Sequence, residues 1–596
     1  MKLNSILLNL LTGSIAINAI IISSSLPARA QEQAKSADGF VNFIGVNTHV
    51  GSTSGPYSNI ANVKSELLGL GVRHIRDNAA PPATPTYISN LTTLASAGVH
   101  TDLMMDGSWF PCGTGGYPNG YGSTTMTAAP IISYITGFSG AIESVEPCNE
   151  TDASTQFNYL GHGFPSGTIS FSQAFYSIIK GNSSTSSLPV LLSSVADDEN
   201  SGLTNEYSYM TAITPGPVNY ADWGNMHCYP GGENPGYNGV WLNESLTSQM
   251  GWLQGTASSP GIAYGKPFVD TETGYENYTD QWSVDQRTGG YYMPRLLLTH
   301  FNAGEQHCYL YELYDDSNYT GAEASYGLVT STGTPKPAYT AIQNLTGLLA
   351  EPGASFTPGQ LTYTMSAPST VKHTLLEKSN GDYFLVIWNE VPSYNLSADG
   401  ASSGDITNPT VGVTVTLPSN SLFTVYAPND ATGQAPTNAY TASTTATSLS
   451  LNVPDRVLVV QIRPQFATGN LQPYYISSQY TGGYINVQSS FVCQPYLSPD
   501  FWSQEWYLSP TGNGEYYICN LWTGNAINMQ SGFACSSWWS GELSAYWNLV
   551  PVGNGGFYLN NPYSETGINT QSSTFECTST WGGEVSAMWN IIPATN

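Results

Sequence analysis

Two short stretches of this chain carry an apolar run onto a carboxylate and then into a loop. One is Glu143-Ser144-Val145-Glu146-Pro147-Cys148-Asn149-Glu150; the other is Lys266-Pro267-Phe268-Val269-Asp270-Thr271-Glu272-Thr273-Gly274. Two such acids facing each other can cleave a glycosidic bond. One protonates the leaving oxygen and the other attacks the anomeric carbon, with ~5–5.5 Å between them in a retaining enzyme. The division of labour needs an environment that raises one pKa and leaves the other carboxylate ionised. Glu143 and Glu146 compete with Glu150 for the acid role, but they precede Pro147 and are expected within the strand. Arg76-Asp77-Asn78 either binds sugar hydroxyls or forms a structural ion pair at a rim. His49 and Trp109 stand where they could line a cleft, Trp109 by stacking on a pyranose face. Cys228 lies between His227 and Tyr229, so if those face inward it faces outward, as a small buried hydrophobe.

These residues need strands to hold them. Residues 38–350 alternate short apolar runs with helix-compatible stretches, the pattern of a parallel α/β fold. The expected strands are 42–47, 72–76, 101–105, 142–146, 189–193, 223–229, 268–271 and 308–312. Eight strands in a region of this length suit a (β/α)8 TIM barrel of ~250 residues plus insertions, whose catalytic groups sit at the C-terminal strand ends. Gly45-Val46-Asn47-Thr48 is not the glycine fingerprint of a doubly wound sheet.

From residue 352 to 466 the texture is alternating strand, read as a small antiparallel β-sandwich. Lys372–Lys378 and Tyr383–Trp388 flank Asn380-Gly381 as a hairpin; 411–417, 422–427 and 457–462 supply further strands. The last region repeats. Ile485-Asn486-Val487-Gln488-Ser489 recurs at Ile527 and Ile568, the starts 42 and 41 residues apart, with Cys493, Cys535 and Cys577 in step and Trp506, Trp547 and Trp589 closing the units. Three copies suit a β-trefoil over 472–596; a propeller needs more. Cys519 and Cys535 fall within one repeat and are expected to form a disulfide, leaving Cys493 and Cys577 unpaired.

Composition bounds the rest. The chain has 596 residues, a net charge of −27 and only 10% charged residues, which excludes a disordered polyelectrolyte and disfavours a nucleic-acid groove. Lys2, the apolar run 6–22 and Pro27-Ala28-Arg29-Ala30 make residues 1–30 a secretory signal. An uncleaved anchor is the alternative, opposed by Asn9 and Asn18. Residues 31–351 are then the barrel of a secreted, extracellular or periplasmic protein, free of the membrane once the signal is removed. No C-x-x-C pair occurs, which disfavours zinc; no metal or cofactor is expected.

The chain resembles the retaining glycoside hydrolases of clan A. Asn149-Glu150 matches their Asn-Glu after strand four, and Thr271-Glu272-Thr273-Gly274 their nucleophile segment after strand seven. His227-Cys228-Tyr229 looks like the strand-six His-x-Tyr of family-39-type members. The resemblance implies Glu150 as acid/base, Glu272 as nucleophile, Asn149 as donor to the sugar 2-hydroxyl and Tyr229 as orienting the nucleophile. His227, Arg76, Trp109 and Tyr311 complete the substrate-contact candidates, Tyr311 standing where the clan often has Trp. The hairpin through Trp388 resembles the sandwich such enzymes pack on the barrel. Residues 472–596 resemble ricin-type β-trefoil lectin modules. There an Asp early in each repeat usually holds sugar, and Asn486, Asn528 and Asn569 are the nearest polar residues here. Tyr480, Trp522 and Tyr563 offer stacking faces. The function expected is a secreted retaining β-glycosidase, a monomer acting on a polysaccharide or oligosaccharide. The alternative is a non-catalytic carbohydrate-binding or surface-adhesive protein.

Overall fold

The structure is a computed structural model. It describes residues 30–594 apart from 80–82, 106–125, 139, 154–156, 197–205, 238–244, 317–319, 354, 380, 397–403, 430–439 and 465–472, and in the C-terminal region 488–490, 495–501, 512–513, 522, 524, 531–532, 537–541, 553–555, 571–575 and 580–582. The proposed signal, Trp109 and Trp522 lie outside the described residues.

Seven strands form one wholly parallel, TIM-like sheet. In spatial order they are Ile142–Glu146, His100–Met104, His74–Asn78, Ile44–Thr48, Cys308–Leu310, Phe268–Thr273 and Gly224–His227. The strand expected at 189–193 is reduced to two parallel bridges, Val145 with Val190 and Leu191 with Trp223, which link the two outer strands. Pro189 has no N–H to give the ladder, and the Val190 amide donates to the Asp222 carboxylate at 2.8 Å instead. Tyr309 fills space beside the first strand: a Cβ on its register partner Gly45 would lie 2.3 Å from the ring. Only glycine fits there.

Helix Gln286–Ala303 shows how sequence places a helix against this sheet. Asp285 caps it by accepting the Thr288 amide at 2.7 Å, and Gly304, at φ 92°, ends it in the left-handed conformation. Its buried face includes Leu296, Leu297, Leu298, Arg295 and His300.

The region expected as a sandwich is one hydrogen-bonded sheet of eight strands that encloses a core of its own. The strands expected at 411–417 and 422–427 are a single one, Val411–Tyr426, whose pairing with Tyr440–Val453 shifts register along its length. Residues 30–36, expected to open the barrel, belong here. Ala30–Gln33 pairs antiparallel with Gln360–Ser366 at one end of the strand order, and Lys35–Ser36 pairs parallel with Val371–Glu377 at the other. Only Ala34 lies between them, so the order closes on itself.

Strand Tyr383–Asn389 is buried on both faces. Phe384, Val386 and Trp388 pack into the core shared with the TIM-like sheet, while Tyr383, Leu385 and Ile387 fill the core of their own sheet. This is the period-2 alternation of a strand with two apolar neighbours.

The C-terminal region is a twelve-stranded antiparallel sheet with four strands per sequence repeat. It closes where Tyr474–Ser478 pairs with Met588–Pro593. Trp506, Trp547 and Trp589 are fully buried with Ile485, Ile527 and Ile568. Each indole N–H donates to the carbonyl of the isoleucine in its own repeat, at 3.0, 2.8 and 2.9 Å. The expected Cys519–Cys535 disulfide is not formed; both are thiols, as are Cys493 and Cys577. Strand Ala526–Asn528 runs between them, pairing Cys519 with Ala526 and Ile527 with Cys535. Two strand spacings of about 4.8 Å exceed the ~7 Å reach of a disulfide. Asn486, Asn528 and Asn569 are buried, the last two donating to Glu542 and Glu584 at 2.7 Å. They are core residues.

Candidate active site

Strand ends Ile142–Glu146, Gly224–His227 and Phe268–Thr273 bring Glu150, His227 and Glu272 together. Oxygens of the two carboxylates and a ring nitrogen of His227 all lie within 4.8 Å of one another. His227 Nδ1 is 2.6 Å from Glu150 Oε1 and 3.8 Å from Glu272 Oε2. Its Nε2 is 3.0 Å from Thr271 Oγ1, and that hydroxyl donates to Asn225 Oδ1 at 2.9 Å. Thr271 thus presents a lone pair to Nε2, and a carboxylate faces Nδ1. Both ring nitrogens donate, which makes His227 an imidazolium. Burial opposes that charge, but Glu272 and Glu150 outweigh it and hold the pKa above the ordinary histidine value. The triad has the spacing of metal ligands, yet a doubly donating His227 offers no lone pair.

Glu272 is 13% exposed at its side chain and Glu150 28%. Burial alone would raise the Glu272 pKa; His227 and Arg76 overcome it, and the carboxyl titrates below the usual glutamate range. Arg76 Nη1 donates to Glu272 Oε1 at 2.5 Å, and Tyr229 OH donates to Oε2 at 3.1 Å. The register shift between Asp270 and Glu272 turns Thr271 and Glu272 both toward His227.

Arg76, expected to bind sugar hydroxyls or to form a structural ion pair at a rim, is ion-paired with Glu146 and Glu272, and at 2% exposed it lies inside rather than at a rim. Besides Glu272 it donates to Glu146 at 2.8 and 3.2 Å, to Asn149 Oδ1 at 2.7 Å and to Asn47 Oδ1 at 3.1 Å. It is a positioning residue. The same contacts remove Glu146 from the acid role, and Glu143 is paired with His74 at 2.8 Å. Beneath this layer, burial and the neighbouring Glu146 push the Asp102 carboxyl up to about 8.

Glu150 lies four residues beyond its strand, at φ 38°. A non-glycine residue there costs about 1–3 kcal/mol and persists only where its surroundings enforce it. Nearby, Thr151 shares a hydrogen bond with Thr168 at 2.6 Å, and Asp152 accepts the Ala196 amide at 2.9 and 3.0 Å. Asn149 has its amide oxygen on Arg76, so its NH2 is the end left to donate. The Tyr311 ring packs on Tyr326 at 5.6 Å, and Tyr326 packs on Tyr229 at 5.7 Å, a continuous aromatic wall. His49 Nε2 is 3.2 Å from the buried Glu312, which also accepts from Tyr57 OH at 2.9 Å.

The sequence reading missed Asn47, Thr271, Asn225, Glu312, Glu323 and Tyr326. Desolvation raises the Glu323 pKa, and the fields of Glu272, Glu150 and Glu312 raise it further. Strand parity could have found Asn47 and Thr271, which are polar residues at inward positions. No local signal marks Glu323 or Tyr326, which come from the long segment after the last parallel strand.

No family model matches the chain, and no curated protein does. Among solved structures it is similar to a family 39 glycoside hydrolase from Bacteroides cellulosilyticus WH2, at 14% identity over 72% of this chain and 81% of that one, TM-score 0.48. It is similar to a monomeric beta-xylosidase from Caulobacter crescentus CB15 at 13% identity over 72% and 98%, TM-score 0.44. A designed 3-fold symmetric protein, ThreeFoil, matches 20% of this chain and 98% of its own at 18% identity, TM-score 0.19.

Proposed function

We propose that the protein is a secreted retaining β-glycosidase, with a (β/α)8 barrel as its catalytic domain and a β-trefoil that binds carbohydrate. The observation that carries this reading is the approach of Glu150 and Glu272 to within 4.8 Å across His227. That spacing favours direct attack by a carboxylate; an inverting pair leaves ~6.5–9.5 Å for a water. Glu272, ionised and held at both oxygens, attacks the anomeric carbon. The Nδ1 proton of His227 lies on the 2.6 Å contact to Glu150. Its transfer gives a neutral imidazole and a protonated Glu150, which supplies the leaving oxygen. Water deprotonated by Glu150 then releases the sugar from Glu272. The parallel bridges at Val190 and Leu191 support the closed barrel, and the three buried indoles support the trefoil. Cleavage after Ala30 would leave strand residues Gln31–Gln33 on the mature chain.

The test is the anomeric configuration of the first product, read by NMR on an aryl β-glycoside. Retention is expected, and inversion would overturn the mechanism. Glu272→Gln should abolish turnover in a folded protein. Glu150→Ala should cost about 10²–10⁴-fold on substrates with poor leaving groups and far less in the first step on an activated aryl glycoside. Equal losses on both kinds of substrate would remove Glu150 from the acid role.

A further inference from the structure

Glu150 and Glu272 stand at or just past the C-terminal ends of parallel strands, and in a barrel the segments that follow such ends build the cleft. Here those segments run 49–59, 79–84, 105–127, 147–165, 193–205, 228–245, 274–285 and 311–336. Together they hold fifteen Asp and Glu side chains, one lysine, Lys336, and no arginine. This is true of every residue in them, described or not.

The lysine and arginine charges near these segments are all committed. Lys336, 3% exposed, donates to Asp315 Oδ1 at 2.7 Å, to the Ser325 carbonyl at 3.0 Å and to Asn277 Oδ1 at 3.2 Å. An ammonium has three protons, so none is left. Arg76 gives its five N–H groups to Glu146, Glu272, Asn149 and Asn47. Arg287, two residues past the segment that ends at Asp285, is paired with Asp405 at 2.7 Å. Of the histidines, His227 is held at both nitrogens, His49 lies 3.2 Å from Glu312, and His162 is exposed in a turn with Tyr159. The acids are in surplus. Glu312 keeps Oε1 buried without a donor, and burial together with Asp280 pushes Glu276 up to about 7.

Resting on the glycosidase reading, we infer that the cleft takes sugars that carry no anionic group and rejects uronic acids and sulfated sugars. A carboxylate or sulfate that leaves water needs a cation or several donors in exchange. These segments offer no uncommitted lysine or arginine to supply them. The charge already present is negative, and like charges brought together across an interface oppose binding. A neutral sugar meets the opposite situation. Its hydroxyls are donors, and ionised carboxylates are acceptors only. The surplus acids thus select for hydroxyls over anions at the same positions.

The test pairs neutral substrates with uronates of the same ring configuration, using the full chain. Aryl β-glucosides, β-galactosides and β-xylosides, and the corresponding neutral polysaccharides, are each assayed beside the uronate and its uncharged uronamide. For whichever neutral sugar is cleaved, kcat/KM on the uronate should be lower by at least about 100-fold. The uronamide, close in shape and without charge, should recover most of that loss. Because the discrimination is electrostatic, it should shrink as salt rises from about 0.02 M to about 0.5 M. Glu323→Gln, at an exposed position, should narrow the ratio of neutral to uronate turnover. A uronate cleaved within about tenfold of its neutral partner would overturn the inference and leave the glycosidase reading standing. A uronamide rejected as strongly as the uronate would overturn it too, since shape would then decide. If no member of the panel is cleaved, the glycosidase reading itself fails and this inference falls with it.

Discussion

Glu272 is held by three partners of different strength: the Arg76 guanidinium, the His227 imidazolium and the Tyr229 hydroxyl. Because they lower its pKa below the ordinary 4.5 despite burial, the acid limb of the kcat/KM profile should fall below that value. The carboxylate's contribution to stability is fully present above 4.5 and is lost as pH falls through the lower folded-state value. Tyr229→Phe removes one hydrogen bond to the charged form, which costs about 1.5–3 kcal/mol at most. At 1.36 kcal/mol per pKa unit, the acid limb should move to higher pH by roughly one unit, with a matching fall in stability above pH 4.5. A profile that stays in place would show that Tyr229 does not tune the nucleophile. Legibility at this scale was uneven. The approach of the two acids was legible because Glu272 lies in an apolar strand and Glu150 in the loop that follows one. For Arg76 two readings stayed open, because a basic residue at a strand end looks the same from sequence whether it points to solvent or into a shared network.

At the scale of elements, the TIM-like parallel sheet with its helices and the closed eight-stranded sheet are joined by a buried ionic cluster. Arg295, on helix Gln286–Ala303, is fully buried and donates to both oxygens of Glu390, at 3.2 Å to Oε2 and closely to Oε1. Glu390 also accepts from Trp388 Nε1 and Asn234 Nδ2, each at 2.6 Å. Asn234 lies five residues past Tyr229, so the second sheet reaches the loop that follows the His227-Cys228-Tyr229 motif. Glu390→Ala leaves a buried guanidinium without its counter-ion and should cost about 3–5 kcal/mol, measured by denaturant unfolding. Glu390→Gln, which keeps acceptor and shape, should cost less. A loss near zero for the alanine variant would mean that the two bodies are not coupled here. Strand existence was legible from alternation, whereas strand length was not. Val411–Tyr426 reads as two strands because Pro418-Ser419-Asn420 looks like a turn, and Pro189 thinned another to two bridges.

At the scale of the whole molecule, the C-terminal repeat carries its own core of three tryptophans and their isoleucines. Tyr480 and Tyr563 are 57% and 60% exposed, and such rings suit stacking on sugar faces. Truncation at residue 470 should leave kcat and KM on a small aryl glycoside unchanged and weaken retention on the cognate polysaccharide, since tethering raises local concentration without altering chemistry. Lost small-substrate activity in a folded truncate would place the repeat at the active site. The threefold repeat was the most legible feature of the chain, because its period is written in identical residues. The closure of the middle sheet was the least legible, because it depends on residues 30–36 meeting strands more than three hundred positions away.

That closure bears on how the protein keeps to itself. Residues 30–33 occupy the hydrogen-bonding side of Gln360–Ser366 and residues 35–36 that of Val371–Glu377. One short peptide therefore covers both ends of this strand order, and a bare sheet margin is a template for aggregation. A chain beginning at residue 37 would bare both margins while leaving the catalytic residues and the tryptophan core untouched. It should retain activity when dilute and form higher-order species as concentration rises, readable by light scattering. A synthetic peptide of residues 30–36 should suppress that assembly. A cut a few residues past residue 30 would then decide colloidal fate, because it would strip the guard strand from an otherwise intact fold.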